Sequence, residues 1–248
     1  MVVPPSFANS SHHLLLLDTK PLKLVICRYQ FISEGGQLAA FLSSGLELPE
    51  ALKQRSLMRQ CQYLAGRHCA RMAINQLAPS TIPVTVSSGA NGQPLWPAGF
   101  FGSISHCAQL AIAVVCLTPV AIGIDTETLM SPDRAEKIWP AIMTSAELHL
   151  LTSACRDMVI AVTLCFSAKE AVFKALSERM AHQLDLLSIR IIAHAPDSAE
   201  LTVVPKMGAY HSEWPAELRV CYWHDQEQLQ VLCVATPPQD KLSANCQT

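Results

Sequence analysis

The chain has 248 residues, half of them hydrophobic, and a formal net charge of −2. That length suits one large domain or two small ones, and the apolar content is enough for a substantial core. No basic excess marks it as a strong nucleic-acid binder, so no nucleic-acid partner is expected. Ten cysteines are present. Cys61, Cys69, Cys107, Cys116, Cys165, Cys221 and Cys233 stand singly inside apolar runs, as small buried hydrophobes do. No CxxC pair offers a zinc ribbon or a redox centre, and a reducing, cytoplasmic compartment is expected. The apolar run 14–17 is far too short to span a bilayer and follows histidines rather than a basic segment. No stable membrane insertion is expected.

In chain order, residues 1–20 read as irregular, 22–28 as a short strand and 34–45, with glycines and serines, as turns. Over 52–77, Leu52, Met58, Cys61, Leu64, Cys69 and Leu77 approximate the helical period, and Pro79 marks the stop. The polar face of this helix carries Lys53, Arg55, Arg59, Arg67 and Arg71. It is either a solvated basic face or a phosphate-binding one, since guanidinium forks match phosphate oxygens. Residues 84–88 read as a strand, Gly89-Ala90-Asn91-Gly92 as a turn, and the segment around Pro94, Trp96 and Pro97 as an irregular connection. Gly102-Ser-Ile-Ser-His106 and the apolar run 110–117 follow. Residues 121–127 form a strand with Ile122 and Ile124 on one face and Asp125 and Glu127 on the other.

Ser131-Pro132-Asp133 opens a helix, and Thr144-Ser-Ala-Glu147 fits a capping box. A long helix spans 158–178. Strands are predicted at 187–192, 201–204, 218–223 and 229–235, and the tail after Pro237 as disordered. The element order is that of an α+β protein in two halves, 1–120 and 121–248.

Three features could carry chemistry. In the long helix, Val159, Val162, Phe166, Phe173 and Leu176 keep a helical rhythm, and the beat between the two phenylalanines falls on Glu170. A carboxylate on a core-facing stripe is costly unless it is paired or holds a metal. Asp125 and Glu127 project from one strand face. Such a pair is either a solvated edge or two oxygen ligands of the kind magnesium takes, with waters and phosphate completing the shell. Glu170 offers a third carboxylate. Lys169 and Lys174 flank it, Lys174 as a surface i,i+4 partner or both as cations for a polyphosphate. Ser105-His106 is no catalytic dyad, because adjacent strand residues face opposite ways. His106 is structural or contacts a phosphate or a base. Phosphate-loop, dinucleotide and nucleophile-elbow templates are missing.

Gly102-Ser-Ile-Ser-His106, Gly123-Ile-Asp125-Thr-Glu127 and Phe166-Ser-Ala-Lys169-Glu170-Ala-Val-Phe-Lys174 together resemble the 4′-phosphopantetheinyl transferases of the surfactin-synthetase-activating type. Tyr63-Leu-Ala-Gly-Arg67 and Pro94-Leu-Trp-Pro97 resemble the subgroup containing enterobactin synthase component D. The resemblance implies a monomer of two similar α+β halves related by pseudo-two-fold symmetry, with coenzyme A in the cleft between them. Asp125, Glu127 and Glu170 take the positions of magnesium (Mg2+) ligands. Arg59, Arg67, Ser105, His106, Lys169 and Lys174 take positions that contact the phosphates and adenosine end of the coenzyme. The reaction implied is transfer of phosphopantetheine to a serine of an apo carrier protein, with release of 3′,5′-ADP. The subgroup resemblance favours a carrier of siderophore or other non-ribosomal peptide synthesis, with fatty-acid and polyketide carriers as alternatives. Glu170, directly or through a metal-bound water, is the candidate base, and Lys174 stabilises the leaving phosphate. The position before Pro94 is usually basic in this family and is Gln93 here, which removes a charge expected near the 3′-phosphate; Arg71 is a candidate to compensate. The competing readings are a metal-dependent phosphohydrolase acting on a nucleotide pyrophosphate and a non-enzymatic binding module.

Overall fold

The structure is a computed structural model that describes residues 10–17, 20–80, 84–90, 92–180, 185–206, 215–224 and 227–236. The chain packs as two units. The N-terminal unit runs to Thr118 and also takes Ile124–Glu127; the C-terminal unit takes Pro119–Gly123 and the chain from Thr128 onward. Each unit combines helices with a sheet, as expected of the α+β class.

In chain order the N-terminal unit contains β1 (Ser10–Leu17), β2 (Lys20–Gln30), α1 (Gly35–Ser43), α2 (Glu50–Lys53), α3 (Leu57–Leu77), the short β3 (Ser87–Ser88) and β4 (Pro94–Leu95), β5 (Phe101–Cys107) and β6 (Leu110–Cys116). Its main sheet has the order β1-β2-β6-β5, with every pairing antiparallel. Strand β6 is central and buried along its whole length, which is why it reads as an unbroken apolar run rather than an alternation. Helix α3 packs on β2 and β6 through Cys61, Leu64, Ala65, Cys69, Ala73 and Ile74.

The structure corrects the sequence reading of this half in three places. The stretch read as irregular contains β1, whose residues lack two-residue alternation and become a strand by pairing along β2. The stretch read as turns is α1. Its two glycines sit in the first turn, and Phe41 anchors it at 3% exposure. The single helix expected over 52–77 is two, α2 and α3, because Ser56 caps α3 by accepting the Arg59 N–H. Strand β3 covers only the end of 84–88, and Asn91 of the predicted turn lies outside the described residues.

The C-terminal unit contains α4 (Pro132–Ile142), α5 (Ser145–Cys155), α6 (Met158–Met180), β8 (Ile189–Ala195), β9 (Glu200–Pro205), β10 (Leu218–His224) and β11 (Gln228–Ala235). With β7 (Ala121–Thr128) these strands form a sheet of order β7-β11-β10-β9-β8. Both predicted caps hold. Ser131 accepts the Arg134 N–H, and Thr144 and Glu147 make a reciprocal capping box. Strand β8 starts two residues later than expected, after a turn closed by Asp185 and Ser188. The tail after Pro237 lies outside the described residues. Helix α6 packs on β11, α5 and α4. At Gly123 the backbone of β7 lies directly on α6: an added Cβ would overlap the Ala171 carbonyl oxygen and the Ala175 nitrogen.

The nine described cysteines are free thiols. Burial pushes those of Cys165 and Cys233 up to about 12, so they behave as core hydrophobes. Among the described residues no helix is long and apolar enough to cross a membrane.

Candidate active site

The residues singled out from the sequence fall into two sets, one in each unit. In the N-terminal unit, alternation along β5 buries Ser103, Ser105 and Cys107 on one side and turns Ile104 and His106 the other way. Ile104 reaches α3 at Gly66, where its methyl fills the space a side chain would need. His106 accepts a hydrogen bond at Nε2 from the Arg59 guanidinium. Arg59 and His106 are thereby joined.

Ser105 has a different partner. Its hydroxyl donates to Asp125 Oδ1 at 2.9 Å and accepts the Thr126 N–H at 3.3 Å. The hydrogen bonds of Ser105 therefore run to β7, and that of His106 to Arg59. Asp125 is 3% exposed, and its neighbours Ile124 and Thr126 are fully buried. It is no solvated edge residue. Glu127, two positions on, is half-buried near the end of the strand.

Arg67 is 7% exposed and lies 4.6 Å from the centre of the Tyr63 ring. Its Nη2 donates to Ser88 Oγ at 2.7 Å and to the Ser87 carbonyl at 3.3 Å, and Tyr63 bonds the same Ser88 hydroxyl at 3.0 Å. Its Nε is buried with no hydrogen-bond partner, an orphan donor of the kind an anion satisfies. The Gln93 amide fills the space beside Gly89, the turn glycine of the β3–β4 hairpin. Arg71, the candidate to replace a charge at 93, is committed elsewhere: it donates to Ser44 O at 2.7 Å and to Ser44 Oγ at 2.9 Å.

In the C-terminal unit, α6 carries Lys169, Glu170 and Lys174. The sequence reading sets the core-facing stripe of this helix through Val159, Val162, Phe166, Glu170, Phe173 and Leu176. Val162 and Leu176 are buried as expected. Val159, Phe166, Glu170 and Phe173 are only half-buried, and Cys165, Ala168, Lys169 and Val172 are buried instead. The buried charge is Lys169, at 0% exposure. Its ammonium donates to Glu147 Oε1 at 2.9 Å and to the Ile142 carbonyl at 2.7 Å. These two bonds are where the structure places the ammonium expected from the sequence to meet a phosphate.

Glu147 is the residue that sequence reasoning missed. Its capping-box role was legible, but nothing in that motif names the cation it receives. Burial pushes its carboxyl pKa up. Hydrogen bonds from Lys169, Ile191 and Thr144, with the Lys169 charge, outweigh burial and hold it below the usual value.

Asp125, Glu127 and Glu170 are hard oxygen donors of the type magnesium prefers, and the hydroxyl on Asp125 is the kind of neighbour that orients a ligating carboxylate. Among the described residues no group of three His, Cys, Asp or Glu side chains that could hold a metal ion is found. Magnesium usually takes only one or two carboxylates, with waters and substrate phosphates completing its shell.

Comparison with known proteins follows the same division. Residues 48–116 match the 4′-phosphopantetheinyl transferase N-terminal domain, and residues 121–232 match the 4′-phosphopantetheinyl transferase superfamily. Over 131 residues the chain is 41% identical to enterobactin synthase component D of Salmonella typhimurium, covering 53% of this chain and 54% of that protein. It is 40% identical over 124 residues to the Escherichia coli protein of that name, covering 50% and 58%. It is 29% identical over 181 residues to the 4′-phosphopantetheinyl transferase Npt of Nocardia iowensis, covering 68% and 78%. The chain spans about half the length of the enterobactin synthase relatives it matches. With two consecutive family matches that span both the Ser105–Asp125 and the Glu147–Lys169 neighbourhoods, the chain belongs to the 4′-phosphopantetheinyl transferase superfamily.

Proposed function

We propose that this protein transfers the 4′-phosphopantetheine group of coenzyme A to a serine hydroxyl of an apo carrier protein, with magnesium as the metal. The observation that supports this most directly is Asp125, a carboxylate at 3% exposure held by the Ser105 hydroxyl within a chain matched by two consecutive models of this family.

In this reading Asp125, Glu127 and Glu170 hold the metal, which when bound offsets negative charge on the pyrophosphate. Arg59 with His106, and Arg67 through its unpartnered Nε, bind the phosphates and adenosine end. The carrier serine oxygen forms a bond to the β-phosphorus. The bond from that phosphorus to the bridging oxygen breaks, and the bridging oxygen leaves on 3′,5′-ADP. Glu170 accepts the serine proton. Lys174, one turn further along α6, lies on the same side of the helix and meets the charge that develops on the leaving phosphate. Lys169 acts from the interior rather than on the coenzyme.

The names of the relatives favour a carrier of siderophore or other non-ribosomal peptide synthesis. Free, buried thiols fit a reducing cytoplasm, and we place the protein there as a monomer. The test is product analysis with coenzyme A and magnesium, with and without an apo carrier protein. The proposal expects 3′,5′-ADP only when carrier is present. Release of free phosphopantetheine without carrier would instead support the phosphohydrolase reading.

A further inference from the structure

The buried pair of Glu147 and Lys169 sits where four elements converge. Lys169, on α6, donates to Glu147 Oε1 at 2.9 Å and to the last carbonyl of α4, Ile142 O, at 2.7 Å. Glu147, in the first turn of α5, accepts the Ile191 N–H of β8 at 2.9 Å. Its Oε2 accepts the Thr144 N–H at 2.7 Å and the Thr144 hydroxyl at 2.9 Å. The two side chains are 0% and 3% exposed.

Such a pair is a poor way to gain stability, since apolar side chains of the same volume often serve as well. It is directional, however. Apolar packing lets a helix turn or slide until the contacts degrade. A lysine held by a carboxylate and a carbonyl has one productive position.

Glu170 follows Lys169 about 1.5 Å along the helix and about 100° around it. Lys174 lies about 7.5 Å further along than Lys169 by the same rise. Fixing Lys169 therefore fixes the direction in which the proposed base and the proposed leaving-group cation project. Catalytic groups need placement to about 0.5 Å, which a helix packed by alanine and valine does not guarantee.

We propose that Glu147 and Lys169 are positioning residues for the transfer reaction, setting the rotation and height of α6 and so the placement of Glu170 and Lys174. This rests on the transferase reading above. The pair itself touches neither coenzyme nor carrier.

The test is the double variant Glu147→Gln/Lys169→Met, which removes both charges and leaves no ion unpaired. Unfolding curves establish that it is folded, calorimetry gives its coenzyme A affinity, and steady-state kinetics give kcat and KM for carrier modification. The expected result is a cooperatively folded protein whose coenzyme A affinity and KM stay within about twofold of the parent, while kcat falls by about tenfold, equivalent to about 1.4 kcal/mol in the barrier. A folded double variant with unchanged kcat overturns the proposal. If the double variant does not fold, Glu147→Asp is read by the same split. It keeps the charge but shortens the reach, and an unchanged kcat there also overturns the proposal. An unmodified parent enzyme that shows no carrier modification would instead remove the transferase reading, and the positioning claim with it.

Discussion

The hydroxyl of Ser105 donates to Asp125 Oδ1 at 2.9 Å, with both side chains at 5% exposure or less. A buried carboxylate so held has little rotational freedom, and a hydrogen bond to a charged group is worth about 1.5–3 kcal/mol. Ser105→Ala should lower unfolding stability by about that amount and reduce carrier modification without abolishing it. Asp125→Ala and Glu170→Gln should each abolish modification while the circular dichroism spectrum stays native. Normal activity in either would refute the assignment of these carboxylates to the metal.

Removing one partner of a buried ion pair strands the other. Lys169→Met leaves the buried Glu147 carboxylate without its counter-charge, at a cost of about 3–5 kcal/mol. Urea unfolding should show the midpoint drop accordingly. A shift no larger than that of an exposed lysine substitution, such as Lys53→Met, would mean the pair contributes little.

Acid should act in two stages. His68 packs edge-on against Tyr29 at 4.8 Å, and burial, followed by the Arg71 charge, lowers its pKa from 6.5. The unfolded chain takes up that proton first, so stability present above pH 6.5 declines as pH falls from there toward the folded value. His194, also lowered by burial, adds to the same stage. The contribution of Glu147 is present above its unfolded value of 4.5 and is lost as pH falls through its lower folded value. Unfolding free energy followed from neutral to acid pH should therefore decline in both windows. His68→Gln should shrink the first decline, with His194 supplying the remainder. An unchanged first decline would contradict the burial argument.

Gly123 permits the close approach of β7 to α6. Gly123→Ala would place a methyl on the Ala171 carbonyl, and relief of that overlap requires the strand or the helix to move. The expected cost is about 1–3 kcal/mol of stability, with a loss of activity larger than that loss explains. Wild-type melting and turnover in this variant would show that the contact is tolerated.

Much of this was legible in the sequence, because it rests on local chemistry. Serine at 131 and threonine at 144 announce helix starts whatever surrounds them, and both cap as expected. The acidic strand and its two-residue spacing were legible for the same reason. What failed depended on partners distant in the chain. Helix α6 is apolar on nearly every side, so periodicity could not fix its phase, and the buried charge proved to be Lys169 rather than Glu170. The partner of that lysine lies 22 positions earlier, within a motif already explained by capping. Strand β1 exists through its pairing with β2 and has no alternation of its own. Helix α1 was hidden by two glycines that sit in its first turn.

The most direct test is the intact mass of apo carrier proteins incubated with the enzyme, coenzyme A and magnesium. The proposed function predicts that at least one aryl or peptidyl carrier gains one phosphopantetheine group, that chelation of the metal stops the gain, and that replacing the carrier serine by alanine prevents it. An enzyme that binds coenzyme A but leaves every carrier at its apo mass would contradict the account.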